Sequence, residues 1–593
     1  MESAPNLTKG LKILFKALPA ARRRQAFLTV LLMVIGAGAE TIGISAVLVF
    51  LTLLTKPERL TETRAWHDLQ SALHYQPNPL LVATVGFIAV MLASGTIRLV
   101  LAWLTSSFSI NAGLDLSAAA FRKITSQPYS FYLKTGSDQI VSRIEKIHIT
   151  NSVILVGVQA IVSSFVAAAI ITLLLFLDFA VALTLGAILV GSYVAISIVT
   201  RATLSRNSKI LADTHAERVK RIQEAVGGIR DILIDRSQAV FQLDFERSGD
   251  NARLPNVVNS FVQYAPRIII EVIGMLAITL LALALATRPG GLIAAIPILG
   301  GLAVGAQRLL PVLQQSYYGW SMFFGNRHAL LEVAGLLTLP DPRPVSANAM
   351  PRFESTIEFD HVSFAYVEHR VVLRDANFQI RKGERIGIIG TTGSGKSTLT
   401  DLVLGLLEPN EGQILVDGLE IDRETMPGWQ HQVAHVPQSI YLTDDDIARN
   451  IAFGVPASEI DMTLVESAAR SAGLHDFIAG LPEQYETRCG ERGIRLSGGQ
   501  RQRIGIARAL YKRAAVLVLD EATSALDNAT EQAVMQSIAE LSSEITIIMI
   551  AHRLTSLSGC DRILRVEQGE ISEIPRSTIE VDQAAARKKR SRI

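Results

Sequence analysis

Cysteine is almost missing from this chain: two residues in 593. Cys489 and Cys560 share no metal-ligand spacing, which argues against both a disulfide framework and a thiolate zinc site. An excess of positive or negative residues is lacking too. The formal net charge is +2 and charged residues make up 19%, so charge alone gives no case for a nucleic-acid partner. A cleavable secretory signal does not fit either. The apolar run behind Arg22, Arg23 and Arg24 extends from Ala26 to Leu54, well past a signal core of roughly 7–15 residues.

Apolar residues are plentiful, at 49%, and mean hydropathy is positive. They concentrate in the first 315 positions. Six spans are predicted, at about 26–54, 80–106, 152–177, 179–201, 267–287 and 291–313, each near or above the ~20 residues that cross a bilayer as a helix. Only Leu177-Asp178 separates the third from the fourth, and a turn at Pro289-Gly290-Gly291 separates the fifth from the sixth. Both pairs therefore read as hairpins. Basic residues set the orientation. Lys9 to Arg24, Arg122 to Lys146 and Arg206 to Arg236 all fall on one side, the cytoplasmic one, and an even number of spans returns the chain there. The two long connections on that side are predicted as helical continuations of the spans.

Residues 339–354 carry prolines 340, 342, 344 and 351 and read as a linker that breaks helix. Residues 1–25 form an N-terminal cytoplasmic segment, 26–338 the transmembrane domain, 355–575 a second domain and 576–593 a basic tail. In the second domain short apolar runs such as Ile386 to Ile389 and Val516 to Leu519 read as buried parallel strands between helices.

The stretch Gly390-Thr391-Thr392-Gly393-Ser394-Gly395-Lys396-Ser397-Thr398 follows one such strand and opens a helix, the context in which this motif cradles phosphates. Its glycines let backbone N–H groups close on the phosphates, with the helix N-terminus adding its positive end. Lys396 is placed to reach the β and γ phosphates, and the Ser397 hydroxyl to ligate Mg²⁺. The strand Val516 to Leu519 ends in Asp520 and Glu521. Asp520 stands at the magnesium-side position and Glu521 at that of the general base. ATP and Mg²⁺ are the implied cofactors.

Between these two motifs lies Leu496-Ser497-Gly498-Gly499-Gln500, and with it the region 355–575 resembles the ABC nucleotide-binding domain. The expected fold is a multidomain membrane protein: an all-α six-helix transmembrane domain followed by an α/β P-loop ABC ATPase domain. The resemblance implies further roles. Tyr366 matches the aromatic that stacks on adenine, Gln438 the glutamine that touches Mg²⁺ and the membrane domain, and His552 the switch histidine at the γ-phosphate. Asp527 matches the D-loop, and Glu491 an exporter residue that helps contact the membrane domain. It also implies a homodimer, because Ser497, Gly498, Gly499 and Gln500 of one subunit complete the site of the other. Six spans before one ATPase domain are similar to the type I exporter half-transporter. Its two cytoplasmic loops, each ending in a short docking helix, are similar to Gln127–Tyr132 and to Glu224–Phe241 here.

Three arginines interrupt the spans: Arg98, Arg267 and Arg308. Counted from the outer ends at 1.5 Å per residue, each lies roughly 26–31 Å down. One reading is snorkelling to the inner interface. The other is a positive belt suited to a pyrophosphate. Glu40, in the middle of the first span, needs a partner, a proton or water. It is expected either to pair with one of these arginines or to pack helices. Leu60, Trp66, Leu69 and Leu73 suggest an apolar stripe on an external helix able to touch a lipid tail. Together these features resemble the bacterial lipid-linked oligosaccharide flippases of the protein-glycosylation type. The implied substrate is a polyprenyl-pyrophosphate oligosaccharide moved to the outer leaflet. Exporters of lipid A, of peptides or of hydrophobic drugs are the alternatives. Aromatic content of 6% disfavours a drug cavity, and six spans exclude the soluble ABC ATPases. The tail Arg587 to Arg592 reads as solvated, or as a contact for anionic lipid.

Overall fold

In the computed structural model the described residues are 7–55, 78–177, 179–286, 291–341, 350–367, 370–522, 531, 534–536, 545–551, 557 and 559–574. The chain divides into two compact units, Met1–Gln127 with Phe131–Pro342, and Pro128–Ser130 with Arg343–Ile593. The external stripe from Leu60 to Leu73, residues 342–349 of the linker and the basic tail lie outside the described residues.

The helices run in the order α1 (Leu7–Ala17), α2 (Ala20–Thr55), α3 (Pro79–Thr125), α4 (Tyr129–Lys134), α5 (Ser137–Leu177), α6 (Phe179–Gly227), α7 (Ile229–Ile234), α8 (Gln238–Ala286), α9 (Gly291–Gly325) and α10 (Arg327–Leu337). Among the described residues, segments of α2, α3, α5, α6 and α8 are long and apolar enough to cross a membrane. The 35-residue α9 covers the sixth expected span. At 41–49 residues, α3, α5, α6 and α8 run far beyond the ~20 that a bilayer requires, so the polar connections do continue the spans as helix. The short α4 and α7 sit where the loop resemblance places helices. Local chemistry sets the ends. Asn78 caps α3 by accepting from the Leu80 N–H at 2.9 Å, and Pro79 occupies its first turn, where a missing N–H costs nothing.

The apolar core of this unit gathers Ile170, Leu189, Ile270 and Leu309 from α5, α6, α8 and α9. In the polar extensions, buried pairs replace it. Asn207 Nδ2 donates to Asn259 Oδ1 at 2.8 Å, joining α6 to α8. Lys146 Nζ, 2% exposed, donates to Glu332 at 2.7 Å, joining α5 to α10. Each group satisfies the other's hydrogen-bonding need, which burial would otherwise leave costly.

In the second unit, β1 (Thr356–Ala365), β2 (Val371–Arg381), β4 (Glu411–Val416) and β5 (Leu419–Glu420) form an antiparallel sheet in the order β2-β1-β4-β5. A second sheet has the order β10-β9-β3-β8-β7-β6, built from β3 (Arg385–Ile389), β6 (Val433–Val436), β7 (Val516–Asp520), β8 (Thr546–Ile550), β9 (Arg562–Glu567) and β10 (Glu570–Ile574). Its pairs among β9, β3, β8, β7 and β6 are parallel. These strands are buried on both faces, which is why they read as continuous apolar runs. Ile388 pairs with Ile550, and Ile550 with Asp520. The end of β3 and the end of β7 therefore meet on one edge of the sheet, where α/β folds place ligands.

Under this sheet, Trp429 on α12 (Met426–Gln432) is 0% exposed, donates its indole N–H to the Val403 carbonyl at 2.7 Å and meets Phe353 edge to face. Trp429→Ala removes that volume and strands the carbonyl. It is expected to destabilise the unit by about 3–5 kcal/mol. Thermal unfolding of the full chain in detergent reads this as a lowered transition, and an unchanged one counts against that packing.

Candidate functional site

The phosphate loop joins β3 to α11 (Lys396–Val403). Two glycines are dictated by geometry. A Cβ at Gly390 would come within 2.2 Å of the Val566 carbonyl oxygen, and Gly395 turns the chain at φ +113°, a region L side chains rarely enter. Lys396, 8% exposed, donates from Nζ to the carbonyls of Gly390 and Thr391, each at 2.8 Å. Its charge is thus folded into the concave side of the loop. Ser394 Oγ is buried with no hydrogen-bond partner among the described residues. The Ser397 hydroxyl-bearing side chain is exposed, as are Thr391, Thr392 and Gly393. An orphaned hydroxyl, a buried ammonium and a cradle closed to any side chain fit a triphosphate with its magnesium ion.

Tyr366, 43% exposed, hydrogen-bonds Thr398 Oγ1 through its hydroxyl at 3.1 Å and packs edge to face on Phe364. The adenine-stacking candidate is thereby tied to the phosphate loop and stays exposed.

At the end of β7, Glu521 adopts φ +49°, and its N–H donates to the Ile550 carbonyl at 3.0 Å. The sharp turn swings its side chain off the strand direction. Gln438, just after β6, donates from Nε2 to Glu521 Oε2 at 2.7 Å. The sequence separates these two residues by 83 positions and the parallel sheet brings them into contact.

Asp401 belongs to this neighbourhood and is absent from the motifs. It lies four residues after Ser397 on α11, so both project from one helix face. Burial, then the charge of Asp520, raises its carboxyl to about 6. A divalent cation at Asp520 offsets that repulsion. The signal that could have found it is the i, i+4 spacing from the serine.

Ser497 caps α14 (Gly498–Tyr511), which follows α13 (Met462–Ser471). Its hydroxyl accepts from Gln500 N–H at 3.2 Å, and Gln500 Oε1 accepts from Ser497 N–H at 2.8 Å. This reciprocal box uses the Gln500 side chain to hold its own helix terminus. Ser497 and Gly498 remain exposed at the positive end of a 14-residue helix, a surface suited to an anion. Glu491 stands exposed in the turn before it. Asp527 and His552 lie outside the described residues. A cavity of about 370 Å³ between α12, α13 and the end of α14, lined by Arg352, Lys382, His431 and Arg513, contains none of the motif residues.

In the helical unit, Arg98 of α3 and Arg308 of α9 converge on Glu40 of α2. Arg98 Nη1 is 3.0 Å from Oε2, and Arg308 Nη1 is 3.6 Å from Oε1. Arg267 of α8 is exposed and does not share that carboxylate. Of the expected belt, then, two arginines meet at one carboxylate. A cavity of about 220 Å³ opens beside Glu40 and Arg98. Its lining also carries Ser163 and Gln315, bonded at 3.1 Å, with Gln159 next to Gln315. The sequence reading missed this amide and hydroxyl wall, because isolated glutamines in an apolar run give no periodic signal.

Residues 29–288 match the family described as ABC transporter transmembrane region, and 373–524 the one described as ABC transporter. The ATP-dependent lipid A-core flippase of Cupriavidus metallidurans is 31% identical over 505 residues, covering 82% of each chain. The protein of the same name from Photobacterium profundum is 31% identical over 499 residues, covering 82% of this chain and 83% of that one. A putative multidrug export ATP-binding/permease protein of Bacillus subtilis is 31% identical over 482 residues, covering 78% and 80%. A solved bacterial Atm1-family ABC exporter with ATP bound superposes with a TM-score of 0.76 at 24% identity, covering 94% of this chain and 95% of that one. That likeness concerns the fold.

Proposed function

We propose, from the premise that this chain belongs to the ABC transporter family as an exporter half-transporter, that it moves a lipid with a phosphorylated saccharide head out of the inner leaflet. Its enzymatic activity is ATP hydrolysis coupled to transport, with ATP and Mg²⁺. It is a multi-pass membrane protein with a cytoplasmic ATPase domain. Family members of this layout dimerise, and a second identical copy is the proposed partner.

In this proposal Lys396 and the loop N–H groups hold the phosphates. Ser397 and Asp520 would hold Mg²⁺, which when bound would neutralise phosphate charge. Glu521 accepts a proton from the attacking water, and Gln438, hydrogen-bonded to it, fixes its carboxylate. Tyr366 stacks on adenine. Ser497, Gly498 and Gly499 of the partner copy present their helix N-terminus to the γ-phosphate. His552 and Asp527 keep the roles that the family resemblance implies.

The observation that carries the substrate reading is the meeting of Arg98 and Arg308 on Glu40. Charges inside a membrane bundle are costly and face a pathway or each other; here two cations share one anion, leaving one positive charge per copy. The relatives named lipid A-core flippase support lipid A with its sugar core as the substrate. Two guanidiniums side by side also suit the pyrophosphate of a polyprenyl-linked oligosaccharide, the second reading. Both heads join phosphate to sugar, and the hydroxyl and amide wall of Ser163, Gln159 and Gln315 suits the sugar.

ATPase assays in proteoliposomes test this. Lipid A is expected to stimulate turnover more than polyprenyl pyrophosphate. In Arg98→Ala/Arg308→Ala, removal of two charge-assisted contacts worth about 1.5–3 kcal/mol each is expected to abolish stimulation and flipping of both. Retained stimulation overturns the site, and stronger stimulation by the polyprenyl lipid selects the second reading.

A further inference from the structure

Glu40 is the least accessible member of its cluster. Its side chain is 14% exposed, against 45% for Arg98 and for Arg308. Arg98 approaches both carboxylate oxygens through one nitrogen, Nη1, at 3.0 and 3.4 Å. The planar fork that gives a bidentate pair its strength is therefore not engaged. Arg308 stands at 3.6 Å, an ion pair longer than a hydrogen bond. Each guanidinium has five N–H donors, so both keep donors free of Glu40, on side chains that are nearly half exposed.

The backbone beneath Glu40 is fixed. Ser94 Oγ donates to the Ala39 carbonyl at 3.0 Å, binding α3 to α2 one residue away. One turn earlier, a Cβ at Gly36 would lie 2.6 Å from a Leu101 methyl, so the two helices touch there. The backbone that carries Glu40 is thus held at a set place, while its side chain keeps its own rotatable bonds; Arg98 is within hydrogen-bond distance of it and Arg308 beyond. The cavity beside Glu40 and Arg98 is also lined by Gln159, Ser163 and Gln315.

We propose that Glu40 is an internal counterion that the substrate's head must displace, and that this exchange sets which lipids are accepted. The proposal rests on the reading of Arg98 and Arg308 as the head-group site. A phosphomonoester or pyrophosphate carries more negative charge than one carboxylate and engages both forks, so it wins the exchange. A phosphodiester carries one negative charge and gains little over Glu40. A neutral lipid gains nothing. Glu40 then competes for the arginines again once the head is turned outward, which favours release. Glu40 therefore sets a threshold: it raises the concentration that every anionic head needs, and the weaker-binding singly charged lipids of the bilayer fall below it.

The test uses the full-length protein in nanodiscs of neutral lipid, titrated separately with lipid A, farnesyl pyrophosphate and phosphatidylglycerol, with stimulated ATPase as readout. In the native protein, the half-stimulating concentration of lipid A or farnesyl pyrophosphate is expected about tenfold below that of phosphatidylglycerol, equivalent to about 1.4 kcal/mol of preference. In E40Q the half-stimulating concentrations of all three lipids are expected to fall by roughly tenfold, because each is released from the same competing carboxylate, so phosphatidylglycerol now stimulates at concentrations to which the native protein does not respond. E40D keeps the charge but draws it back from the arginines, and is expected to fall between; it serves if E40Q does not fold. Half-stimulating concentrations that stay unchanged in either variant overturn the counterion. Loss of all stimulation in the double arginine variant together with unchanged half-stimulating concentrations in E40Q sinks the exchange and leaves the head-group site standing. Full stimulation in the double arginine variant sinks the site itself.

Discussion

Glu521→Gln lowers the rate of ATP hydrolysis by about 10²–10⁴-fold while nucleotide binding persists. The glutamine is nearly isosteric, so the turn at φ +49° and the Ile550 hydrogen bond stay as they are. The amide oxygen still accepts from Gln438, which now stands 2.7 Å from the Glu521 carboxylate. What disappears is basicity, the ability to take the proton of an attacking water. Steady-state turnover alongside binding of a fluorescent nucleotide separates the two effects. A rate within tenfold of the native one removes Glu521 from the role of base, and a parallel loss of binding shows that the side chain holds the site together.

Lys396→Ala acts one step earlier. Affinity for ATP is expected to fall by at least about a hundredfold, since a charge-assisted hydrogen bond contributes about 1.5–3 kcal/mol and the ammonium has donors for more than one phosphate oxygen. The geometry sharpens this. The ammonium is 8% exposed and already oriented by two carbonyls at 2.8 Å, so little side-chain entropy remains to be lost on binding. Its removal also leaves those carbonyls without their donor and loosens the loop. Equilibrium binding of ATP without magnesium isolates the lysine from the metal; a change under tenfold shows that loop N–H groups dominate.

The sequence made the phosphate loop and the acidic strand end legible because each is a local device. A loop needing φ +113° at residue 395 must write glycine there, and a strand buried on both faces must write Val516 to Leu519. Pairings across the chain were not legible in the same way. Gln438 was placed by family likeness, but only the register of β6 with β7 brings it onto Glu521. The i, i+4 spacing of Asp401 from Ser397 is the one local hint of its place, and it is common on amphipathic helices; its neighbour Asp520 comes from a strand more than a hundred positions away. Gln500, read as a nucleotide contact, has its side-chain oxygen engaged by the Ser497 N–H. Its position in a capping box could have suggested that.

The order of the parts, the apolar membrane helices, the cytoplasmic side of the ATPase domain and the expectation of a phosphate loop could all be read from the sequence. Each of these follows from rules that act on neighbouring residues: the length that spans a bilayer, the cost of moving charge across it, and the backbone freedom of glycine. Tertiary structure alone decided which charged residues share a carboxylate. Arg98, Arg267 and Arg308 lie at similar depths by counting, yet Arg98 and Arg308 reach Glu40 and Arg267 does not. Depth along a helix is fixed by rise per residue, whereas the direction a side chain faces depends on how each helix is rotated against its neighbours. Close contacts such as Gly36 on Leu101 set that rotation, and they exist only once the bundle has packed.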